Sequence, residues 1–513
     1  MKLTVEIKEN EYWWGGSVTD GGEMPFSQRT LFSRDFRRGW ISNQTMPLFL
    51  SSHGRYIWSE NCFAIEFCSG SISVEGEDIT IKEAGSCLKD AYLEAMRTHF
   101  PFDGKRLPDL FFETAQYNGW MQFMYAPTQD GVLEYANGII ENGFTPGILM
   151  IDEGWQRSYG AWEFDPIKFP DPKGMIEKLH AMGFKLMLWV TPYVLCSGYD
   201  YVVNTLFNQN GERLFMRNED GEVSIIQWWN GHCAVLDMTK ECDRRYLSDQ
   251  LDRLVSLGVD GFKFDGGDVG VYREGATVNG TPSSSATAEE RNDAWNKFGA
   301  MYEFHEYKDS YKQGGRNMIQ RLSDKAHVWQ GNGLADILPA SLVQGILGTP
   351  FICPDMIGGG EWSYFRYIAK SVADGELFVR MAQCSALLPM MQFSLAPWQY
   401  LNGEHLKLCL NAARLHKEMS PYILTLVRHA ETSGEPIVRM LEYCYPHQGF
   451  AEVTDCFMLG ERYLVAPVTV RGQTEKSLRL PSGRWRYCNG TIYEGGNVTV
   501  PAPLDVLPYF EKI

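Results

Sequence analysis

The sequence predicts an α/β protein. A (β/α)8 TIM barrel is expected over residues 101–424, flanked by an N-terminal β-sandwich over residues 1–100 and a C-terminal β-sandwich over residues 425–513. Three observations predict it. From residue 110 onward, short apolar runs alternate with helix-period stretches, as in a parallel sheet wrapped by helices. Before residue 100 and after residue 425 the text is instead short alternating runs punctuated by Gly, Ser and Asn, which suits antiparallel sheets. Between them, Gly258-Val-Asp-Gly-Phe-Lys-Phe-Asp-Gly-Gly-Asp268 reads as a buried strand, 261–264, that delivers Asp265 to its carboxyl end. That end of a barrel strand is where parallel α/β folds carry their chemistry.

The elements follow in order. Leu3-Thr-Val-Glu-Ile7, Arg55-Tyr-Ile-Trp58, Phe63-Ala-Ile-Glu-Phe67 and Ile79-Thr-Ile81 are strands of the first sandwich, and 90–100 is a connecting helix. Barrel strands are expected at 110–116, 147–151, 185–190, 261–264, 317–322, 351–353 and 387–392, with helices at 129–142, 173–182, 243–257 and 339–347. The strands still missing are expected between 200 and 240. Residues 267–315 make too long a connection for a bare loop and should hold helices of their own. Arg462-Tyr-Leu-Val-Ala466, Lys476-Ser-Leu-Arg-Leu480, Trp485-Arg-Tyr487 and Val498-Thr-Val500 are strands of the last domain.

Composition narrows the partners. The chain has 513 residues with 47 basic and 64 acidic side chains, a net charge of −17 and no long basic run, so nucleic acid and anionic membranes are poor partners. Fifteen Trp, 25 Tyr and 28 Phe supply many flat faces of the kind that stack on sugar rings. The 12 Cys include no CxxC pair and no disulfide framework is expected, which favours a reducing compartment. The charged, alternating start is a strand rather than a signal peptide, and no run of about 18 apolar residues appears. The expected address is cytoplasmic. A homo-oligomer is compatible with all of this.

Nearly every expected strand end bears a polar or aromatic group. These are Asn118 with Trp120, the acidic pair Asp152-Glu153 before Trp155, Trp228 with Trp229, Lys263 before Asp265, Arg321 with Asp324, Asp355 before three glycines, and Gln392 with Ser394. Each alone is explained by capping or a salt bridge. Placed together on one rim, they suit glycoside hydrolysis, which needs an ionised carboxylate nucleophile, a protonated carboxyl as acid and no metal. Lys263 should help keep Asp265 ionised, and burial or negative neighbours should hold the acid neutral. Gly266 and Gly267 leave bare backbone that a ligand can approach. The scattered His have no metal-ligand spacing, so neither metal nor cofactor is expected.

The chain resembles glycoside hydrolase family 31 over nearly its whole length. The resemblance rests on Ile151-Asp-Glu-Gly-Trp155, Trp162-Glu-Phe-Asp165 with Phe169-Pro-Asp-Pro172, Leu179-His-Ala-Met-Gly-Phe-Lys-Leu-Met-Leu-Trp189, Asp260-Gly-Phe-Lys-Phe-Asp265, Gly348-Thr-Pro-Phe-Ile-Cys-Pro-Asp-Met-Ile-Gly-Gly359, and Glu376-Leu-Phe-Val-Arg380 with Pro389-Met-Met-Gln392. The Trp13-Trp14-Gly15-Gly16 start resembles a compact branch for which α-galactosidase activity is implied. By this resemblance Asp265 is the nucleophile, Lys263 touches the sugar, and Asp152 holds its hydroxyls. Trp120 and Trp228 are subsite walls, with Trp155 beside them, and Asp355 precedes the glycine pair.

Two departures matter. The family's Arg, spacer and Trp-x-Gly-Asp text is absent, so the acid lies between Asp324, five residues before Trp329, and Asp336, deeper in the following helix. Asp324 is favoured, with Arg321 as its partner. Glucose-specific members place Arg-x-His after the last strand, where this chain has Gln392-Phe393-Ser394, a loss that tolerates an axial hydroxyl. The expectation is a retaining exo-acting α-galactosidase acting on a small α-glycoside or oligosaccharide. An α-glucosidase, α-xylosidase or α-N-acetylgalactosaminidase of the same kind, or a non-catalytic sugar-binding protein on the same barrel, is the alternative.

Overall fold

The computed structural model describes residues 1–39, 43–100, 102–206, 211–363 and 373–513. At its centre is a parallel sheet of nine segments: Gln116–Asn118, Ile148–Ile151, Lys185–Val190, Gly261–Phe264, Phe304–Tyr307, Gln320–Arg321, Ile352–Cys353, Met356–Ile357 and Gln392–Phe393. The last returns to the first, with Gln392 opposite Gln116. The two free ends of the strand order, Ile352–Cys353 and Met356–Ile357, are halves of one stretch interrupted at Pro354-Asp355. The sheet thus curls round and closes as a barrel. Asp355 makes the break with φ of 83°, a conformation a carboxylate residue tolerates better than most.

Connecting helices begin where the sequence supplies caps. Thr128 caps Gln129–Glu141, Asp171 caps Pro172–Ala181, Thr287 and Glu290 form a capping box on Ala288–Gly299, and Asp374 caps Gly375–Ala386. Residues 267–315 hold this last-but-one helix and the short helix Val269–Tyr272, and also a strand that sequence reading missed, Phe304–Tyr307. The strands expected between 200 and 240 exist but belong elsewhere. Ile225–Trp228 and Gly231–Val235 form an antiparallel hairpin paired with Tyr193–Leu195, a small sheet of its own. The apolar run expected as the first strand is mostly a helical turn, Leu110–Glu113, and the strand starts at Gln116. Likewise the run before Gln392 closes a helix, and only Gln392–Phe393 is strand.

The N-terminal region is two antiparallel sheets packed through phenylalanines, Phe26 stacking on Phe67 at 4.5 Å. It also braces the barrel. Ser310–Tyr311 adds to it as an edge strand beside Gln44 and Thr45, and Gln44 donates to the carbonyls of Lys308 and Arg321, both at 2.9 Å. The helix Gly403–Ser433 runs through the expected boundary after residue 424. Beyond it, where a second sandwich was expected, the described residues form one six-stranded antiparallel sheet. Its long strand Glu475–Tyr487 shifts register between Leu480 and Arg484, which lets the sheet bend around Trp485, Tyr487 and Phe510.

Arg380, within the Gly375–Ala386 helix, pins this sheet to the barrel. It is 1% exposed and donates to Gln383 Oε1 at 2.9 Å and to the carbonyls of Ala502, Val506 and Gln473 at 2.8, 3.1 and 3.2 Å. Arg380→Met should strand these acceptors and cost roughly 2–4 kcal/mol in chemical denaturation, with hydrogen exchange rising first in the C-terminal sheet. An unchanged midpoint would remove Arg380 from this role.

Candidate active site

The carboxyl ends of the barrel strands open into one cavity of about 190 Å3. Its charged lining is Asp152, Glu153, Lys263, Asp265, Lys308, Arg321, Asp324 and Glu361; Trp120, Tyr125, Trp229 and Trp362 complete the wall. A larger cleft of about 760 Å3 between the N-terminal sheets and the Ala288–Gly299 helix contains none of the residues singled out from sequence.

Asp265 follows the fourth barrel strand, and its amide donates to Val190 of the third at 2.9 Å. Two donors orient the carboxylate: Trp189 Nε1 on Oδ2 at 3.0 Å and the Gly266 amide on Oδ1 at 2.9 Å. Burial alone would push this carboxyl up. The charges of Lys308 and then Lys263, with the Trp189 hydrogen bond, outweigh burial, and the net direction is down. Lys263, two residues earlier on the same strand face, makes its own ion pair with Asp152 at 2.6 Å, so its help to Asp265 is through charge and second to that of Lys308. Gly266 and Gly267 sit at φ of 65° and 72°. The space their missing side chains leave is filled by protein rings: a Cβ would meet Tyr193 at 2.7 Å or Trp295 at 2.5 Å. The Tyr193 hydroxyl accepts from the Gly267 amide at 2.7 Å.

Asp324 shares the cavity with Asp265. Lys308 Nζ reaches it at 2.7 Å and Arg321 Nη1 at 3.0 Å. Burial opposes ionisation here too, but Lys308, Arg321 and Lys263 overcome it and hold Asp324 well below the usual carboxylate range. The expectation that burial or negative neighbours keep this group neutral is therefore corrected: its nearest neighbours are two cations. The carboxyl held neutral is Glu153. Burial, then the charges of Asp152 and Asp265, push it up to about 8 despite hydrogen bonds from Trp229 and Asn230.

Arg321 is the hub of the far wall. Besides Asp324 it contacts Asp355 through Nη1, while Nε lies 3.5 Å from Glu306. Glu306, fully buried on the fifth strand, also accepts from Gln392 Nε2 at 2.9 Å. Asp355 in turn accepts the Lys325 amide at 2.6 Å and stands behind the cavity as a support.

The sequence-derived residues thus divide. Asp265, Asp324, Asp152, Lys263, Arg321 and Trp120 come together in the cavity; Trp120 is fixed by its Nε1 on the Gly360 carbonyl at 3.0 Å. Trp155, Trp228 and Asp355 are not in its lining. Trp155 is wholly buried and donates to the Trp189 carbonyl at 2.8 Å. Trp228 stacks on Trp189 at 6.2 Å and supports Trp229, the neighbour that does face the cavity, at 4.3 Å. Asp336 lies outside, paired with Lys325 at 2.8 Å. Sequence reading missed the roles of Glu153, Lys308 and Trp229; the signal for Lys308 was its place after an unrecognised strand. Among the described residues no group of three or more His, Cys, Asp or Glu is arranged to hold a metal, and no helix is long and apolar enough to cross a membrane.

Comparison with known proteins agrees with this architecture. The profile for the glycosyl hydrolases family 31 TIM-barrel domain matches residues 114–426, and that for the family's C-terminal domain matches residues 434–512. Myogenesis-regulating glycosidase of Mus musculus is 33% identical over 412 residues, covering 78% of this chain and 56% of that protein. Alpha-glucosidase 2 of Bacillus thermoamyloliquefaciens is 26% identical over 426 residues, covering 77% of this chain and 52% of its own. The chain thus spans about half the length of these relatives. A family 31 dextranase of Flavobacterium johnsoniae, solved with glucose, superposes with a TM-score of 0.84 at 21% identity, covering 100% of this chain and 66% of that one. On the family profile, which takes in most of the barrel residue by residue, the chain belongs to glycosyl hydrolase family 31.

Proposed function

We propose that the protein is a retaining, exo-acting α-glycosidase and that its sugar is an α-galactoside. One observation carries the reading: two carboxylates after different barrel strands, Asp265 and Asp324, line one cavity, with Lys308 bonded to Asp324 and acting through its charge on Asp265. Asp265, kept ionised and aimed by Trp189 and Gly266, attacks the anomeric carbon and displaces the aglycone, forming a glycosyl ester. Asp324 first takes up a proton from solvent, against the pull of Lys308 and Arg321, and passes it to the departing oxygen; it then takes one from the water that attacks the ester and frees Asp265. A cavity of about 190 Å3 suits one pyranose ring, which fits removal of a terminal residue.

The galactose assignment leans on the last strand. Gln392 is spent on Glu306, and Ser394 Oγ accepts the Met121 amide at 2.7 Å, so neither supplies the His contact to an equatorial hydroxyl. The Mus musculus relative, a glycosidase by name, is consistent with hydrolysis and silent on the sugar.

Three measurements test this. Asp265→Asn should abolish turnover of 4-nitrophenyl α-D-galactopyranoside by several orders of magnitude at an unchanged melting temperature; near-normal turnover rules out the nucleophile. In a panel of aryl α-galactoside, α-glucoside, α-xyloside and α-N-acetylgalactosaminide, the galactoside should be cleaved fastest. Silence on all four favours a sugar-binding protein. Lys308→Met tests the electrostatics. Lys308 lowers both carboxyls, so ionised Asp265 is present above its depressed value and protonated Asp324 below its own. Without Lys308 both limbs of the kcat/KM profile for an alkyl α-galactoside should move to higher pH by about one unit or more. An unmoved profile contradicts the lysine's role.

A further inference from the structure

Glu153 is a cavity carboxyl with no task in the two-step reaction. Glu153 follows Asp152 after the second barrel strand, is 3% exposed and lines the cavity. Its Oε1 accepts the indole N–H of Trp229 at 2.8 Å, and Oε2 lies 3.4 Å from Asn230 Nδ2. Both donors come from the tip of the hairpin formed by Ile225–Trp228 and Gly231–Val235, so the group is clamped from outside the barrel. We propose that Glu153 is a specificity-determining residue that donates a hydrogen bond to a hydroxyl of the bound sugar, next to the hydroxyl that Asp152 holds. This rests on the glycosidase reading of the same site. The ligand class is an uncharged pyranose with adjacent hydroxyls.

The surroundings supply the proton. Burial, the Asp152 charge and the more distant Asp265 charge outweigh the N–H groups of Trp229 and Asn230, leaving the carboxyl neutral up to about pH 8. The titratable groups acting on it are Asp152 beside it in the chain, Asp265 after the fourth strand and Tyr159 in the following loop, with Tyr125 and Glu361 on the same cavity wall; Lys263 faces Asp152, and the hairpin tip brings the donors Trp229 and Asn230. With Trp229 on Oε1, the hydroxyl of the acid belongs on Oε2, where the contact with Asn230 is long. A neutral acid donates one hydrogen bond, whereas the ionised form only accepts and adds a third negative charge beside Asp152 and Asp265. Because its titration is raised, the donating form is complete well below pH 8 and is lost as pH rises through it.

The test compares wild type, Glu153→Gln and Glu153→Ala. KM and kcat for 4-nitrophenyl α-D-galactopyranoside, and calorimetric binding of free galactose, are followed from about pH 6 to about pH 9.5. Wild-type KM and galactose Kd should rise above pH 8 while kcat changes little. Glu153→Gln donates at every pH and should lose that rise. Glu153→Ala should bind roughly tenfold more weakly at neutral pH and also lose it. A rise in Glu153→Gln equal to that of wild type, or a wild-type KM in Glu153→Ala, overturns the proposal. A wild type that cleaves nothing but binds galactose with this pH dependence sinks the glycosidase reading and keeps this contact. Cleavage with one pH-independent KM in all three proteins does the reverse, and neither cleavage nor binding overturns both.

Discussion

The ammonium of Lys308, bonded to Asp324 and acting through its charge on Asp265, is the interaction on which the site depends. Two negative charges in one small buried space repel each other and resist desolvation, and neither stays ionised without a compensating cation. Lys308 supplies it for both. On the far wall Arg321 pairs with Asp324, Asp355 and Glu306, although burial still pushes the last two up, and Lys263 pairs with Asp152. Each cation must be held close to its carboxylates, which explains the bracing around them. The N-terminal sheets reach across to the barrel, and Gln44 ties together the backbone carbonyls of Lys308 and Arg321. The flanking domain thereby fixes the spacing of the two cations that set the charge of the site.

The cavity separates its carboxyls by environment rather than by residue type. Asp265 and Asp324 meet cations and are pulled down; Glu153 meets Asp152 and Asp265 and is pushed up. Opposite shifts in neighbouring acids give one site both acceptors and a donor for sugar hydroxyls, with no metal required for the contact. The aromatic wall follows similar logic. Trp189 orients Asp265, Trp228 stacks on Trp189, and Trp229 lines the cavity while giving its N–H to Glu153.

Much of the fold was legible because periodicity is a local property. The strands at Ile148–Ile151, Lys185–Val190 and Gly261–Phe264 are apolar runs with clear ends, and Asp265 follows one of them. Phe304-His-Glu-Tyr307 escaped because its inward residues are polar: Glu306 faces Arg321 and Gln392 inside the barrel. Missing that strand also hid Lys308, which stands at its end. The run at 110–116 misled because apolar residues serve a buried helical turn as well as a strand. Trp228 and Trp229 show the limit at the site. Trp228 ends a hairpin strand and Trp229 opens its turn, with ring centroids 4.3 Å apart, so the choice between them depends on how the hairpin lies against the rim. The proposed acid was hard to read for another reason: Trp329-Gln-Gly-Asn332 ends in an amide, which donates to the Asp324 carbonyl at 2.9 Å and accepts from Lys325 Nζ at 3.1 Å.

The central claim is that Asp265 forms a covalent bond to the sugar, and trapping tests it most directly. Incubation with 5-fluoro-α-D-galactosyl fluoride, followed by proteolysis and mass spectrometry, should find one fluorogalactosyl group on the peptide containing Asp265 and none on that containing Asp324. A label on Asp324 or any other side chain, or steady turnover of the reagent through an inverted product with no labelled peptide at any time, would contradict it.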